Sequence, residues 1–220
     1  MVSSGGRLDA LQLRVLETLA DVEPRFVLSG GAALAGIYLG HRTTRDLDLF
    51  WRNRAQLGGL AAIVEQRLAR AGLSVAAIQT TPAFVRFQVS DGTSAVVVDL
   101  ISEPTDAIDT AETHYLGRAA ILVDSPRAIL AEKLCALLER SELRDLIDVE
   151  ALMKSGERLD VAIADAPQRD GGFSSLTLAW LLEDFDVIAL AKATGLDDAQ
   201  AVDLDVFRQE LIDRLINPVR

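Results

Sequence analysis

One cysteine (Cys135) and two histidines (His41, His114) are all that 220 residues offer for thiol or imidazole chemistry. A single thiol closes no internal disulfide, and with two distant imidazoles it cannot assemble the four nitrogen and sulfur ligands of a structural zinc site. Cys135 lies in the apolar stretch AILAEKLCALLER, where it reads as a small core residue in a reducing compartment. No apolar run approaches the ~20 residues that span a bilayer. The opening MVSSGGRLDALQ also lacks the charged-then-apolar layout of an export signal, so a cytoplasmic chain with no membrane partner is expected. Repeats and low-complexity tracts are missing as well. Basic charge is in deficit, with 22 Lys and Arg against 33 Asp and Glu, a net charge of −11. That balance excludes broad, sequence-blind contact with phosphate backbones, because such binding is driven by counterions released from a basic surface. It leaves room only for a local patch, and His41, Arg42, Arg45, Arg52 and Arg54 form one.

What is present suits a folded chain. Half of the residues are hydrophobic and 25% are charged, enough to bury one core or two small ones. Leu8, Leu11, Leu16 and Leu19 recur at helical spacing over residues 8–20. Pro24 ends that pattern, and RFVLS reads as a strand. Gly30-Gly31 then opens a short apolar helix, AALAGIYLG. A second strand is expected over 46–51, a helix over 55–71, and a pair of strands, AFVRFQVS and SAVVVDLIS, on either side of the Asp91-Gly92 hairpin signal. From Ser125-Pro126 the pattern turns helical, over 126–140, 142–154, 174–193 and 198–216, with 158–172 as loop. The expected class is α+β: an α/β core over 1–124 and a helical C-terminal domain over 125–220.

Three features carry chemistry. The first is Asp46-Leu47-Asp48: a strand sends alternate side chains to opposite faces, so the two carboxylates share a face and stand roughly 6.5–7 Å apart at Cα. They repel each other unless a cation lies between them. About fifty residues on, Asp99 stands in the apolar run AVVVDLIS. An ionised group there needs a counter-charge, because burying it alone costs several kcal/mol. A shared divalent cation answers all three burial problems, and Mg²⁺ fits hard oxygen ligands best; pairing of Asp99 with an arginine is the alternative. The second feature is Gly30-Gly31 between a strand and a helix, where backbone N–H groups can face an anion or simply make a tight turn. It is not the dinucleotide fingerprint, since the G-x-G-x-x-G spacing is missing. The third is Lys133, placed inside the apolar stripe of Ile129, Leu130, Leu134, Leu137 and Leu138. Its ammonium can snorkel to solvent or reach a phosphate or carboxylate, and Asp145 and Asp148, with Arg144, are candidate partners on the next helix.

Together, LSGGAALAGIYLGHRTTRDLDLF, the Asp99 strand, Lys133 and the Arg-Asp-x-x-Asp of Arg144–Asp148 resemble the AbiEii/AbiGii nucleotidyltransferase toxins of the polymerase-β-like superfamily, over residues ~26–152. The resemblance implies a polymerase-β-like core with a mixed sheet and flanking helices. It implies that Asp46, Asp48 and Asp99 hold the catalytic metals, two Mg²⁺ ions, with Asp99 as a base toward the acceptor hydroxyl. Ser29, Gly30, Gly31, Arg42 and Thr44 would border the triphosphate of an NTP, Lys133 would contact phosphate, and Asp145 would orient it or the nucleotide. Superfamily members often carry Ser or Thr where this chain has Ala32, which removes one neutral hydroxyl contact, on the order of 1 kcal/mol. The implied activity is transfer of a nucleoside monophosphate to RNA such as tRNA, or to a protein hydroxyl, by the toxin of a toxin–antitoxin or phage-defence pair with a cognate antitoxin. Two other readings stay open: a small-molecule, aminoglycoside-like nucleotidyltransferase, which acidity suits, and an inactive fold used as a binding module.

Overall fold

A computed structural model describes residues 8–217, so most of the opening read above for an export signal lies outside the described residues. The described chain forms two compact units, one running to Ser125 and one starting at Pro126. No helix among the described residues is long and apolar enough to cross a membrane.

The first unit is a seven-stranded mixed sheet in the order β3-β4-β5-β2-β1-β7-β6. Its strands are β1 (Val27–Ser29), β2 (Asp46–Arg52), β3 (Ser74–Thr80), β4 (Phe84–Ser90), β5 (Ala95–Glu103), β6 (Glu112–Leu116) and β7 (Ala119–Val123). The β2/β5 and β1/β7 pairs are parallel and the rest antiparallel. Helix α1 (Ala10–Leu19) begins at a capping box, in which Asp9 and Gln12 satisfy each other's backbone N–H. Gln12 also donates Nε2–H to the Thr44 carbonyl at 3.0 Å, which ties α1 to the residue two before β2. Helix α2 (Gly30–Ala33) runs on into a π-helical turn, Leu34–Tyr38, and α3 is Leu60–Arg70.

β2 shows why this core holds. Leu47, Leu49 and Trp51 are buried on one face, each contributing roughly 1.5–3 kcal/mol. Trp51 keeps its indole N–H satisfied by the Pro24 carbonyl at 2.7 Å. The alternate residues Asp46, Asp48, Phe50 and Arg52 are only half-buried on the other face. At the strand's far end Arg52 pairs with Glu103 and Asp124.

The second unit is helical: α4 (Pro126–Arg140), α5 (Leu143–Lys154), α6 (Leu159–Asp165) with a 3-10 turn at Ala166–Gln168, α7 (Ser175–Glu183), α8 (Val187–Thr194) and α9 (Asp198–Ile216). Pro126 sits first in α4, where its missing N–H costs nothing.

Several sequence expectations need correction. Residues 158–172 are not loop throughout: Leu159 and Ala162 bury one side of α6. The single helix expected over 174–193 is two, because Asp186 accepts a hydrogen bond from Ala189 N and starts α8 afresh. The helix expected from residue 55 begins at Leu60, behind Gly58 and Gly59. Strands β3, β6 and β7 were not anticipated. The last two form a hairpin across Gly117-Arg118, with Gly117 at φ +58° and Leu116 opposite Ala119.

Candidate active site

Register brings the motif residues into one line across the sheet. Ser29 on β1 lies opposite Asp48 on β2, Asp48 opposite Asp99 on β5, and Asp99 opposite Arg86 on β4. Residues opposite one another point to the same face, so a serine, two carboxylates and a guanidinium form a row with steps of about 4.8 Å. Asp46 lies on the same face two residues before Asp48. Three carboxylates gather there, and Arg86 answers Asp99 with a fork, Nε to Oδ1 at 2.8 Å and Nη2 to Oδ2 at 2.6 Å. Asp99 is buried, whereas the Arg86 side chain is 42% exposed. Thr44 donates its hydroxyl to Asp46 Oδ1 at 2.9 Å and fixes that carboxylate from the loop side.

The glycine pair is fitted to this row. Gly30 has φ +63°, a backbone region L-residues avoid, and a Cβ there would run into the Asp48 carboxylate. A Cβ on Gly31 would stand 2.7 Å from Arg42 Nη2 and 3.3 Å from Thr44 Oγ1. Ser29, Gly30, Gly31, Arg42, Thr44, Asp46, Asp48 and Asp99 are thus assembled at one place. Ala32 is fully buried, a position where a hydroxyl would need its own partner.

Among the described residues no three His, Cys, Asp or Glu side chains converge to enclose a metal by themselves. Asp99 faces Arg86 instead, the alternative partner considered from the sequence. The pair Asp46 and Asp48 still suits Mg²⁺, which binds through one or two carboxylates and takes its other ligands from water and substrate phosphates.

Lys133 and Asp145 occupy the other unit. Lys133 does not snorkel: it is 6% exposed and its Nζ lies 2.9 Å from Asp145 Oδ1 and 2.7 Å from Asp148 Oδ2. Asp145 and Asp148 are fully buried, and Arg140 forks onto Asp145 at 2.8 and 2.9 Å. Burial drives the Asp145 pKa upward, but the Arg140 hydrogen bonds and the charge of Lys133 outweigh it, and the net shift is downward. Burial likewise lowers Lys133, and the attraction of Asp148 and Asp145 more than reverses it. Arg144, the first residue of the Arg-Asp-x-x-Asp motif, pairs with Glu142 at 2.6 Å.

Sequence reasoning missed Arg86. The signal was available in the hairpin: counting back from Asp99 identifies its partner once the loop is known to hold four residues, 91–94, with Ser90 opposite Ala95. Asp91 builds that loop by accepting from Thr93 N and Ser94 N. The backbone N–H of Ser94, then that of Thr93, and the Thr93 hydroxyl bring its pKa down to about 2.

The family described as nucleotidyl transferase AbiEii toxin, type IV toxin–antitoxin system, matches residues 14–217. A search of curated protein sequences gave no match. Among solved structures, the chain is similar to MenT4, a nucleotidyltransferase toxin from Mycobacterium tuberculosis, with TM-score 0.64 and 16% identity over 94% of this chain and 82% of that one. It is similar to JHP933 from Helicobacter pylori, with TM-score 0.54 and 22% identity over 94% and 92%. It is also similar to the antibiotic-resistance factor ANT(2″)-Ia, with TM-score 0.52 and 12% identity over 74% and 94%. At these identities the structures speak for a shared fold, while the family match covers nearly the whole chain. The protein belongs to the AbiEii nucleotidyltransferase toxin family and is a nucleotidyltransferase.

Proposed function

We propose that this toxin transfers a nucleoside monophosphate from an NTP to an acceptor hydroxyl with Mg²⁺ held by Asp46 and Asp48. The observation that carries the reading is the row Ser29–Asp48–Asp99–Arg86, with the glycine turn closed against Asp48 at one end. When bound, the metal, two ions in the arrangement the resemblance implies, stabilises the charge on the attacking and leaving oxygens. The chain itself supplies position. Gly30 and Gly31 let the backbone approach the triphosphate, with Ser29, Arg42 and Thr44 along its border. Asp99, fixed by Arg86, is oriented to accept the proton of the incoming hydroxyl. Asp145 and Asp148 leave Lys133 one of its three N–H donors, so we give Lys133 and Asp145 a scaffold role that locks α4 to α5, rather than the phosphate contact and orienting role implied by resemblance.

The acceptor in this reading is an RNA such as tRNA, or a protein hydroxyl, and a cognate antitoxin restrains the activity in the cell. Incubation with α-labelled NTPs, Mg²⁺ and total RNA or lysate is expected to move label to a macromolecule, and Asp48→Ala to lower transfer by at least about a hundredfold. Equal transfer by the two proteins defeats the proposal. The net charge of −11 favours one competitor, a small cationic acceptor. Drug resistance on expression, without growth arrest, would select it.

A further inference from the structure

Arg86 belongs neither to the sequence motif nor to the triphosphate border, yet its guanidinium is built into the carboxylate row. The fork onto Asp99 uses Nε and one hydrogen of Nη2. The Phe84 ring lies 5.5 Å from the guanidinium carbon and supports it from the side. Nη1 meets no protein acceptor among the described residues, and the side chain is 42% exposed. The guanidinium is thereby fixed at the Asp99 end of the row, with Asp48 the next residue along it.

That position has opposite consequences for two kinds of ligand. A bare divalent cation approaching Asp46 and Asp48 is repelled by a fixed positive charge a few ångströms beyond Asp99. A metal–nucleotide complex keeps a net negative charge on its phosphates, is attracted by the same guanidinium, and can accept hydrogen bonds from Nη1. We propose that Arg86 is the built-in counter-ion of the row: a positioning residue that holds Asp99 by both oxygens and tilts the site toward metal–nucleotide complex and away from bare metal. The proposal rests on reading the row as the nucleotidyl-transfer site.

Two binding constants test it without turnover. Bare Mn²⁺ is titrated by electron paramagnetic resonance, and the Mn²⁺ complexes of the four α,β-methylene NTP analogues by calorimetry, for wild type, Arg86→Gln and Arg86→Lys. Arg86→Gln is expected to tighten bare Mn²⁺ roughly tenfold and to weaken the best nucleotide complex roughly tenfold. Arg86→Lys, which keeps the charge and loses the fork, is expected to return both constants to within about threefold of wild type. A purely structural role would weaken both ligands, and that result overturns the proposal, as does no change in either or a Gln variant that fails to fold by circular dichroism. Wild type that binds neither ligand removes the functional reading and this inference with it. Wild type that binds both while the variants move in parallel removes the inference alone.

Discussion

In the first unit Asp99 stands in a row with Asp48 and is gripped by an arginine with 42% of its side chain exposed. In the second, Asp145 and Asp148 close around Lys133 with almost no exposure at all. Both clusters join carboxylates from motif positions to a cation. They differ in what each leaves over. Around Lys133 the charges consume one another, which is the condition under which ions survive in an interior. Along the row, Arg86 grips Asp99 through Nε and Nη2 alone and keeps 42% of its side chain exposed, so its Nη1 retains capacity for a ligand. In the proposed reading, saturation separates scaffold from chemistry where residue type and motif membership do not.

The largest expected effect breaks the second cluster. Lys133→Met removes the ammonium from two fully buried carboxylates and should cost about 3–5 kcal/mol in chemical denaturation. An unchanged midpoint combined with lost nucleotide binding would return Lys133 to phosphate contact and erase the contrast. The same cluster sets a pH window. Asp145 has a folded pKa below its unfolded value of about 3.9, so its contribution is present above that pH and drains away as pH falls through the folded value. Lys133 has a folded pKa above its unfolded value of about 10.4, so its contribution is complete below that pH and is lost as pH rises through the folded value. Denaturation midpoints measured across pH should fall at both ends, and Lys133→Met should flatten the alkaline limb.

The next effects sharpen the first cluster. Gly30→Ala forces an L-residue to φ +63° and pushes on the Asp48 carboxylate. It should cost about 1–2 kcal/mol of stability and reduce label transfer by about tenfold or more. A variant with wild-type transfer would mean that Asp48 is not held at the glycine turn during turnover. Smallest is Thr44→Val, which deletes the 2.9 Å bond to Asp46. About 1 kcal/mol, or roughly fivefold in the affinity for metal–nucleotide complex, should be lost, with the melting temperature little changed.

Much of this was legible before the structure. The alternation in Asp46–Trp51 placed the carboxylates on one face because Leu47, Leu49 and Trp51 take the other. The stripe around Lys133 located a charge that could snorkel to solvent or find a partner, and Asp145 and Asp148 were among the candidates. Arg86 stayed hidden because its importance lies in cross-strand register, which depends on the length of the 91–94 loop rather than on anything local to Phe84–Ser90. Strand β3 escaped for another reason: nearly every residue of SVAAIQT is exposed, so no apolar face marks it. The β6/β7 hairpin does carry a local signal, Gly117-Arg118 between two short runs. The break at Asp186 was masked by the apolar runs LAWLL and VIALA that flank the short acidic stretch around it.

Strand β3 also forms an outer margin of the sheet, and its pairing with β4 slips between Ala77 and Gln79, with Ile78 as the extra residue. An open margin of this kind invites a foreign strand to add on, since its backbone groups form a ready template. The slip interrupts that template in mid-course, so an incoming chain cannot match donors and acceptors along its whole length. Deleting Ile78 would straighten the border, and the shortened protein should self-associate in light scattering at concentrations where the parent stays dispersed.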